Sequence, residues 1–220
     1  MIDRGLDRLH DDIAYFRSAV SYTAAETGFL DVLVEKDFFC SIALKALAAD
    51  AGTLVFKGGT SLAKIHIGAY RISEDLDFSV SIPESASRAE RSRAVADLRN
   101  GIESIVERTG LEVARPFRGS NENRQYSTRF AYDSRIDGAR REIKVEVGAR
   151  ELLLREPIHG EVLTLLRDPI DGEPLLPKFA FPCLSWEETM AEKFRAAMTR
   201  VAIRDFFDIR FATRNMLFRP

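Results

Sequence analysis

Two short stretches of this chain hold side chains whose types and spacing could do chemistry, and they follow one another between Val55 and Val80. The first is Lys57-Gly58-Gly59-Thr60-Ser61, directly after the apolar run Thr53-Leu54-Val55-Phe56. Glycines have no Cβ, so the backbone at Gly58 and Gly59 can approach a ligand closely and take up positive φ. Thr60 and Ser61 add hydroxyls, and a helix starting here would aim free N–H groups and its positive dipole end at an anion such as a triphosphate. The second stretch is Arg71-Ile72-Ser73-Glu74-Asp75-Leu76-Asp77-Phe78. Asp75 and Asp77 are two residues apart, so on a strand they share one face while Leu76, Phe78 and Val80 take the other. Carboxylates side by side repel unless a cation or a proton separates them. Hard oxygen donors of this kind suit Mg²⁺ or Mn²⁺. Taken alone, Gly-Gly is an ordinary turn and Asp-x-Asp an ordinary solvated strand end, and no P-loop pattern is present. Joined by one short helix, they read as a site for a metal-bound triphosphate.

The elements that must position these groups can be read from periodicity. Residues 6–28 suggest one or two helices, with Leu6, Leu9, Ile13 and Phe16 at helical spacing and Gly28 as a break. Residues 30–49 suggest a stronger helix, apolar over much of its circumference and ending in alanines. Its Glu35-Lys36-Asp37 reads either as a surface charge cluster or as support for the site. Strand 53–57, a helix at about 60–66 and the Asp75/Asp77 strand follow, ended by Pro83. Ser85 or Ser87 can cap the next helix, 87–108. Its buried stripe is Val95, Leu98, Ile102, Ile105 and Val106, and its other face carries Arg88, Arg91, Arg93 and Arg99. That face is either simply solvated or a patch for RNA phosphates. Strands are expected at 111–117, 125–132 and 142–150, with Asp137-Gly138 as the hairpin turn before the last. In that last strand Ile143, Val145 and Val147 alternate with Glu142, Lys144 and Glu146, so either Glu142 or Glu146 could stand as a third carboxylate beside Asp75 and Asp77. The proline-rich segment 152–182 reads as a short strand near 162–166 within a long connection. A capping box, Ser185 with Glu188, opens a helix over 186–200 with Met190, Phe194 and Ala197 inward, and a second helix covers about 203–214.

KGGTSL followed by RISEDLDF resembles the AbiEii/AbiGii nucleotidyltransferase toxins of the DNA polymerase β-like superfamily. Val34-Glu35-Lys36-Asp37-Phe38, Glu192-Lys193 and Arg204-Asp205-Phe206-Phe207-Asp208-Ile209 are similar to that family's flanking motifs, so the likeness runs from about residue 34 to 210. The resemblance implies an α/β (α+β) fold, a polymerase β-like mixed sheet of about five strands flanked by helices. Residues 1–150 would form the nucleotidyltransferase core with N-terminal helices, and 151–220 a connecting segment and C-terminal helical region completing the site. It implies Glu146 rather than Glu142 as the third metal-binding carboxylate. Lys193 would meet the triphosphate, and Asp208 would orient Lys193 or Arg204. Lys57, Gly58, Gly59, Thr60 and Ser61 would hold the phosphates. The reaction implied is Mg²⁺-dependent transfer of a nucleotide from a nucleoside triphosphate (NTP) to an acceptor, with the tRNA 3′ end as acceptor and a cognate antitoxin as partner. A protein or small-molecule hydroxyl is the other acceptor class, and a silent NTP-binding module the non-enzymatic reading.

Ser73 continues the spacing of Asp75 and Asp77, so an extended chain would bring its hydroxyl to the approach path of the triphosphate. A phosphate there would add about −1.5 to −2 charge and repel the incoming NTP. Alternatively, Ser73 merely begins the strand or makes a local turn bond.

Composition sets limits. At 220 residues, 45 % hydrophobic and 30 % charged, the chain can bury a sizeable core. A formal net charge of −2 leaves no global basic field, so nucleic-acid contact must come from a local patch. Two distant cysteines, Cys40 and Cys183, make no disulfide framework and suit a reduced cytoplasmic setting. No apolar run approaches the ~20 residues of a membrane span, and the charged start of the chain does not read as a signal peptide. His10, His66 and His159 have no ligand spacing, and no nucleophile elbow is present.

Overall fold

The computed structural model describes residues 6–49, 53–83, 85–149, 153–200 and 202–216. The boundary expected between residues 150 and 151 falls outside them. The described residues form a mixed seven-stranded sheet, where about five strands were expected. Its strands are β1 (Leu54–Lys57), β2 (Asp75–Val80), β3 (Glu112–Ser120), β4 (Gln125–Asp133), β5 (Arg140–Gly148), β6 (Ile158–Glu161) and β7 (Ala180–Cys183). They lie in the order β3-β4-β5-β2-β1-β7-β6. The pairs β5–β2 and β1–β7 are parallel and the others antiparallel.

The helices follow local signals. A 3₁₀ turn over Leu6–Asp11 leads to α1 (Ile13–Thr27), where the Asp12 side chain accepts the Tyr15 N–H and Gly28, at φ 75°, closes the C-terminus. Helix α2 (Asp31–Ala49) is buried almost all round, as a helix apolar on most sides must be. With α1 and the helix α5 (Ala96–Thr109) it covers the apolar face of the sheet, so that Phe16, Phe38 and Phe39 join Phe78, Phe130, Ile143, Val145 and Val147 in one core. Helix α3 (Gly58–Ser61) runs straight into a π-helical turn, Leu62–His66. The single helix expected over 87–108 is two, α4 (Arg88–Ala94) and α5 (Ala96–Thr109), because Val95 leaves helical geometry at φ −112°, ψ 13°. Ser87 and Glu90 form the capping box of α4, and Gly110 at φ 70° ends α5. The arginine face expected on this helix is broken up: Arg91 is buried, and Arg99 lies over the Phe117 ring.

The C-terminal third departs most from expectation. The strand placed near 162–166 is instead Ile158–Glu161, paired with β7, and β7 inserts beside β1. Helices α6 (Trp186–Arg200) and α7 (Ile203–Met216) then pack on each other. The Ser185 hydroxyl does accept the Glu188 N–H, but the Glu188 carboxylate accepts from the Leu154 and Arg155 N–H groups instead of closing a capping box. Phe194, expected inward, is half-exposed, while its neighbour Lys193 is buried. Among the described residues no helix is long and apolar enough to cross a membrane.

Candidate active site

Strand register assembles the site. Antiparallel pairing of β1 with β2 sets Lys57 opposite Asp77. Parallel pairing of β2 with β5 sets Asp75 opposite Lys144 and Asp77 opposite Glu146. Residues paired across strands share a face, so Asp75, Asp77, Lys144 and Glu146 all project from the side opposite the helix-packed core. Glu142 lies farther along β5; its carboxylate pairs with Arg129 at 2.9 Å, and its carbonyl accepts from Lys36.

The glycine turn is built against these carboxylates. Gly58 sits at φ 79°, and a Cβ there would come 2.6 Å from Asp77 Oδ2. A Cβ on Gly59 would run into the Arg71 guanidinium and lie 3.2 Å from Ser73 Oγ. Both glycines are therefore required by close approach, and at Gly58 by backbone conformation as well. The Thr60 hydroxyl donates to the Asp75 carbonyl and ties the turn to the start of β2. Ser61 is fully buried, and its hydroxyl has no hydrogen-bond partner among the described residues. Neither hydroxyl opens into the cavity that adjoins the carboxylates.

That cavity has a volume of about 320 Å³. Lys57, Gly58, Asp77 and Glu146 form its floor, and one face of α6 forms its wall. Glu192, Arg195, Ala196, Thr199 and Arg200 recur there at i, i+3, i+4, i+7 and i+8. Arg124, from the β3–β4 turn, also lines the cavity. Four cations, Lys57, Arg124, Arg195 and Arg200, thus surround two strand carboxylates and Glu192. Lys57 pairs with Glu192 at 3.3 Å. Glu146 accepts from Gln125 Nε2 at 2.9 Å and pairs with Lys144 at 2.7 Å. Burial, then the charges of Glu146 and Asp75, raise the Asp77 pKa from its ordinary 3.8 to about 6, against the opposing pull of Lys57 and Lys144.

A second cluster lies behind the turn, where α6 meets α7. Asp208 is completely buried. It accepts from Arg71 Nε at 2.6 Å, Arg71 Nη2 at 2.8 Å and Tyr70 Oη at 2.7 Å, and pairs with Lys193 at 2.7 Å. Burial alone would raise its pKa, but the bonds from Arg71, Lys193 and Tyr70 hold it below 3.8. Asp208 therefore orients Lys193 and Arg71, and Arg204 is exposed. Lys193 also reaches Asp205, at 3.4 Å, and does not line the 320 Å³ cavity.

Glu35, Lys36 and Asp37, which the sequence left open as a surface cluster, are buried. Glu35 accepts from the Ser134 hydroxyl and the Arg135 N–H, fixing the β4–β5 hairpin. Asp37 holds Lys64 at 2.5 Å, and Lys64 in turn donates to Ser41 and to the Leu163 carbonyl. This pins the turn that follows the glycines to α2. Ser73 stands just before β2, beside Gly59 and Arg71, and does not line the carboxylate cavity. Sequence reading passed over Gln125, Arg124, Arg195 and Arg200. The helical repeat from Glu192 to Arg200 is the signal that could have found the last two.

The donors at β2 and β5 fit a hard divalent cation in kind, and burial together with the neighbouring Glu146 and Asp75 raises the pKa of Asp77. As placed, no three His, Cys, Asp or Glu side chains among the described residues converge on one metal position. Lys144 and Gln125 take up the Glu146 oxygens.

The family model described as the nucleotidyl transferase AbiEii toxin of type IV toxin–antitoxin systems matches residues 42–219. The chain belongs to the AbiEii nucleotidyltransferase toxin family. Two solved structures share the fold with this AbiEii protein. JHP933 from Helicobacter pylori is 17 % identical, with a TM-score of 0.55 over 85 % of this chain and 68 % of that one. A candidate nucleotidyltransferase from H. pylori is 18 % identical, with a TM-score of 0.57 over 86 % and 71 %. None of the curated proteins compared matches the chain. The AbiEii family membership places this protein among the transferases, as the toxin of a type IV pair.

Proposed function

We propose that this AbiEii protein moves a nucleotide from an NTP to a hydroxyl on an RNA acceptor, the 3′ end of a tRNA, and that a cognate antitoxin restrains it. The observation that carries this reading is the register of Asp77 against Glu146 and Lys57, with Gly58 packed on Asp77, beside a cavity rimmed by cations. Asp75, Asp77 and Glu146 would hold Mg²⁺ or Mn²⁺, with Lys144 giving up Glu146 to it. When bound, such an ion lowers the pKa of an attacking hydroxyl and takes up charge on the leaving phosphates.

The chain's own residues do the positioning. Gly58 and Gly59 leave room for phosphate against the backbone. Lys57, Arg195 and Arg200 offset negative charge along the triphosphate, and Arg124 does so from the sheet side. Asp208 keeps Arg71 and Lys193 fixed behind the turn, so the cradle is rigid before substrate arrives. Little covalent chemistry falls to the protein in such a transfer; orientation and charge stabilisation supply the rate.

The test is incubation with each labelled NTP, Mg²⁺ and total RNA, beside an Asp77→Asn control. Label in RNA with the wild type alone is the expected result. Label in protein or small molecules would overturn the acceptor, and no label from any NTP would overturn the transfer.

A further inference from the structure

Two transverse rows of side chains cross the open face of the sheet, and both run from arginine to carboxylate. One is Arg115–Arg129–Lys144–Asp75, and the next is Arg118–Ser127–Glu146–Asp77. Arg115 and Arg118 are three residues apart, so a regular strand would send them to opposite faces. The register of β3 shifts between Val113 and Arg115 and again between Arg115 and Arg118. Bulges of this kind re-aim side chains, and here they set Arg115 opposite Arg129 and Arg118 opposite Ser127. Phe117 between them stacks on Tyr126, on the core side. Pro116 lacks an N–H, which an edge strand such as β3 tolerates, as does a bulge.

The rows line a groove of about 530 Å³ that ends at Glu146, and Gln125 and Glu146 line both this groove and the carboxylate cavity. Arg129 and Lys144 are paired with Glu142 and Glu146. Arg115 and Arg118 are exposed, and no carboxylate pairs with either among the described residues. Three strands at about 4.8 Å spacing give the groove a length of roughly 10 Å from Arg115 and Arg118 to Lys144 and Glu146. At one phosphate per about 3.4 Å of a stacked strand, that is room for about three phosphates. The carboxylate cavity already has its own cations for a triphosphate, so this groove serves a second, extended polyanion that ends at Glu146.

We propose that the groove formed by β3, β4 and β5 seats the last few phosphates of a single-stranded RNA acceptor, with its terminal hydroxyl delivered beside Glu146 and Asp77. This rests on the transferase reading of the same site and adds which surface takes the acceptor. It also moves the RNA contact from the arginine face of α4 and α5 to the sheet.

The test is binding of a fluorescent 12-nucleotide single-stranded RNA with a free 3′ hydroxyl, by anisotropy across a salt series. The pair Arg115→Ala/Arg118→Ala should weaken binding at least tenfold and flatten the slope of log affinity against log salt by about 1.4, the value for two lost phosphate contacts. Arg93→Ala, on the exposed face of α4, should leave both unchanged. The thermal shift given by Mg²⁺-NTP should be the same in the double variant and the wild type, which also shows that the variant is folded. An unchanged RNA slope in the double variant, or a lost NTP shift with RNA binding intact, would overturn the groove assignment. Binding needs no turnover: weakened RNA binding by the variant supports the groove even if no label is transferred, which would count against the transferase reading alone.

Discussion

Asp77 and Asp208 are both carboxylates withdrawn from solvent, and the molecule treats them in opposite ways. Asp208 receives hydrogen bonds or ion pairs from Arg71, Tyr70 and Lys193, and its pKa is held low. Asp77 is desolvated by burial, faces two further carboxylates with only partial relief from Lys57 and Lys144, and its pKa rises to about 6. The first arrangement is complete without a ligand. The second stores repulsion that a bound cation would remove. Asp37 with Lys64, and Glu35 with Ser134 and Arg135, are likewise buried carboxylates that the protein's own groups satisfy, although burial still raises the pKa of Glu35. Buried charge by itself therefore does not single out a reacting centre; on the function proposed above, unbalanced charge beside a cavity does.

The largest expected effect breaks the first cluster. Asp208→Ala leaves Arg71 and Lys193 buried without their shared partner, and removing one member of such a pair costs about 3–5 kcal/mol. Urea unfolding should show that loss. A cost under about 1 kcal/mol, the range of exposed pairs, would mean that Asp208 is not the keystone of the α6–α7 packing.

Asp77→Asn should do the reverse. Transfer should fall by more than about a thousandfold through lost charge stabilisation. The ligand-free protein should keep its stability or gain about 1–2 kcal/mol, because a repelling charge is gone. A variant that loses activity only because it unfolds would put Asp77 in the same class as Asp208.

The two carboxylates also differ in the sign of their pH dependence. Asp77 has a folded pKa of about 6, above its ordinary 3.8, so its contribution to stability is full below 3.8 and lost as pH rises through about 6. Asp208 has a depressed folded pKa, so its contribution is present above 3.8 and lost as pH falls through the lower folded value. In unfolding curves from pH 7 down to 4, Asp77→Asn should remove an increment that the wild type gains on acidification. Parallel curves for the two proteins over that range would contradict the raised pKa.

What could be read from the sequence follows the same division. The alternation of β2 and β5 was legible because a period of two is local: it put Asp75 and Asp77 on one face of β2, and Glu142, Lys144 and Glu146 on one face of β5, before any pairing was known. The choice between Glu142 and Glu146 needed the β2–β5 register, which is a long-range fact. The seats of β6 and β7 were hidden for the same reason: β7 pairs in parallel with β1, far away in sequence, and four-residue strands leave little periodicity. On α6 the hydrophobic rule held for Ala197 and failed for Phe194. The inward face carries Lys193 because α7 offers it Asp205 and Asp208, and Phe194 turns outward. A rule that buries apolar side chains cannot anticipate a helix interface built from compensated charge.

The smallest expected effect lies on the border between the clusters. Ser73 sits between Arg71, which belongs to Asp208, and Asp75, which belongs to the strand carboxylates; its hydroxyl faces Gly59. Ser73→Glu adds a negative charge where the triphosphate would pass, while Arg71 stays committed to Asp208 by two hydrogen bonds. One like charge at partly screened range is worth about 1 kcal/mol. The KM for NTP should therefore rise about five- to tenfold and recover in high salt, with unfolding midpoints unchanged and Ser73→Ala close to wild type. If Ser73→Glu instead lowers stability as Asp208→Ala does, the new carboxylate has drawn Arg71 off Asp208. Ser73 would then belong to the compensated cluster, and phosphate on it would act by loosening the fold rather than by repelling substrate.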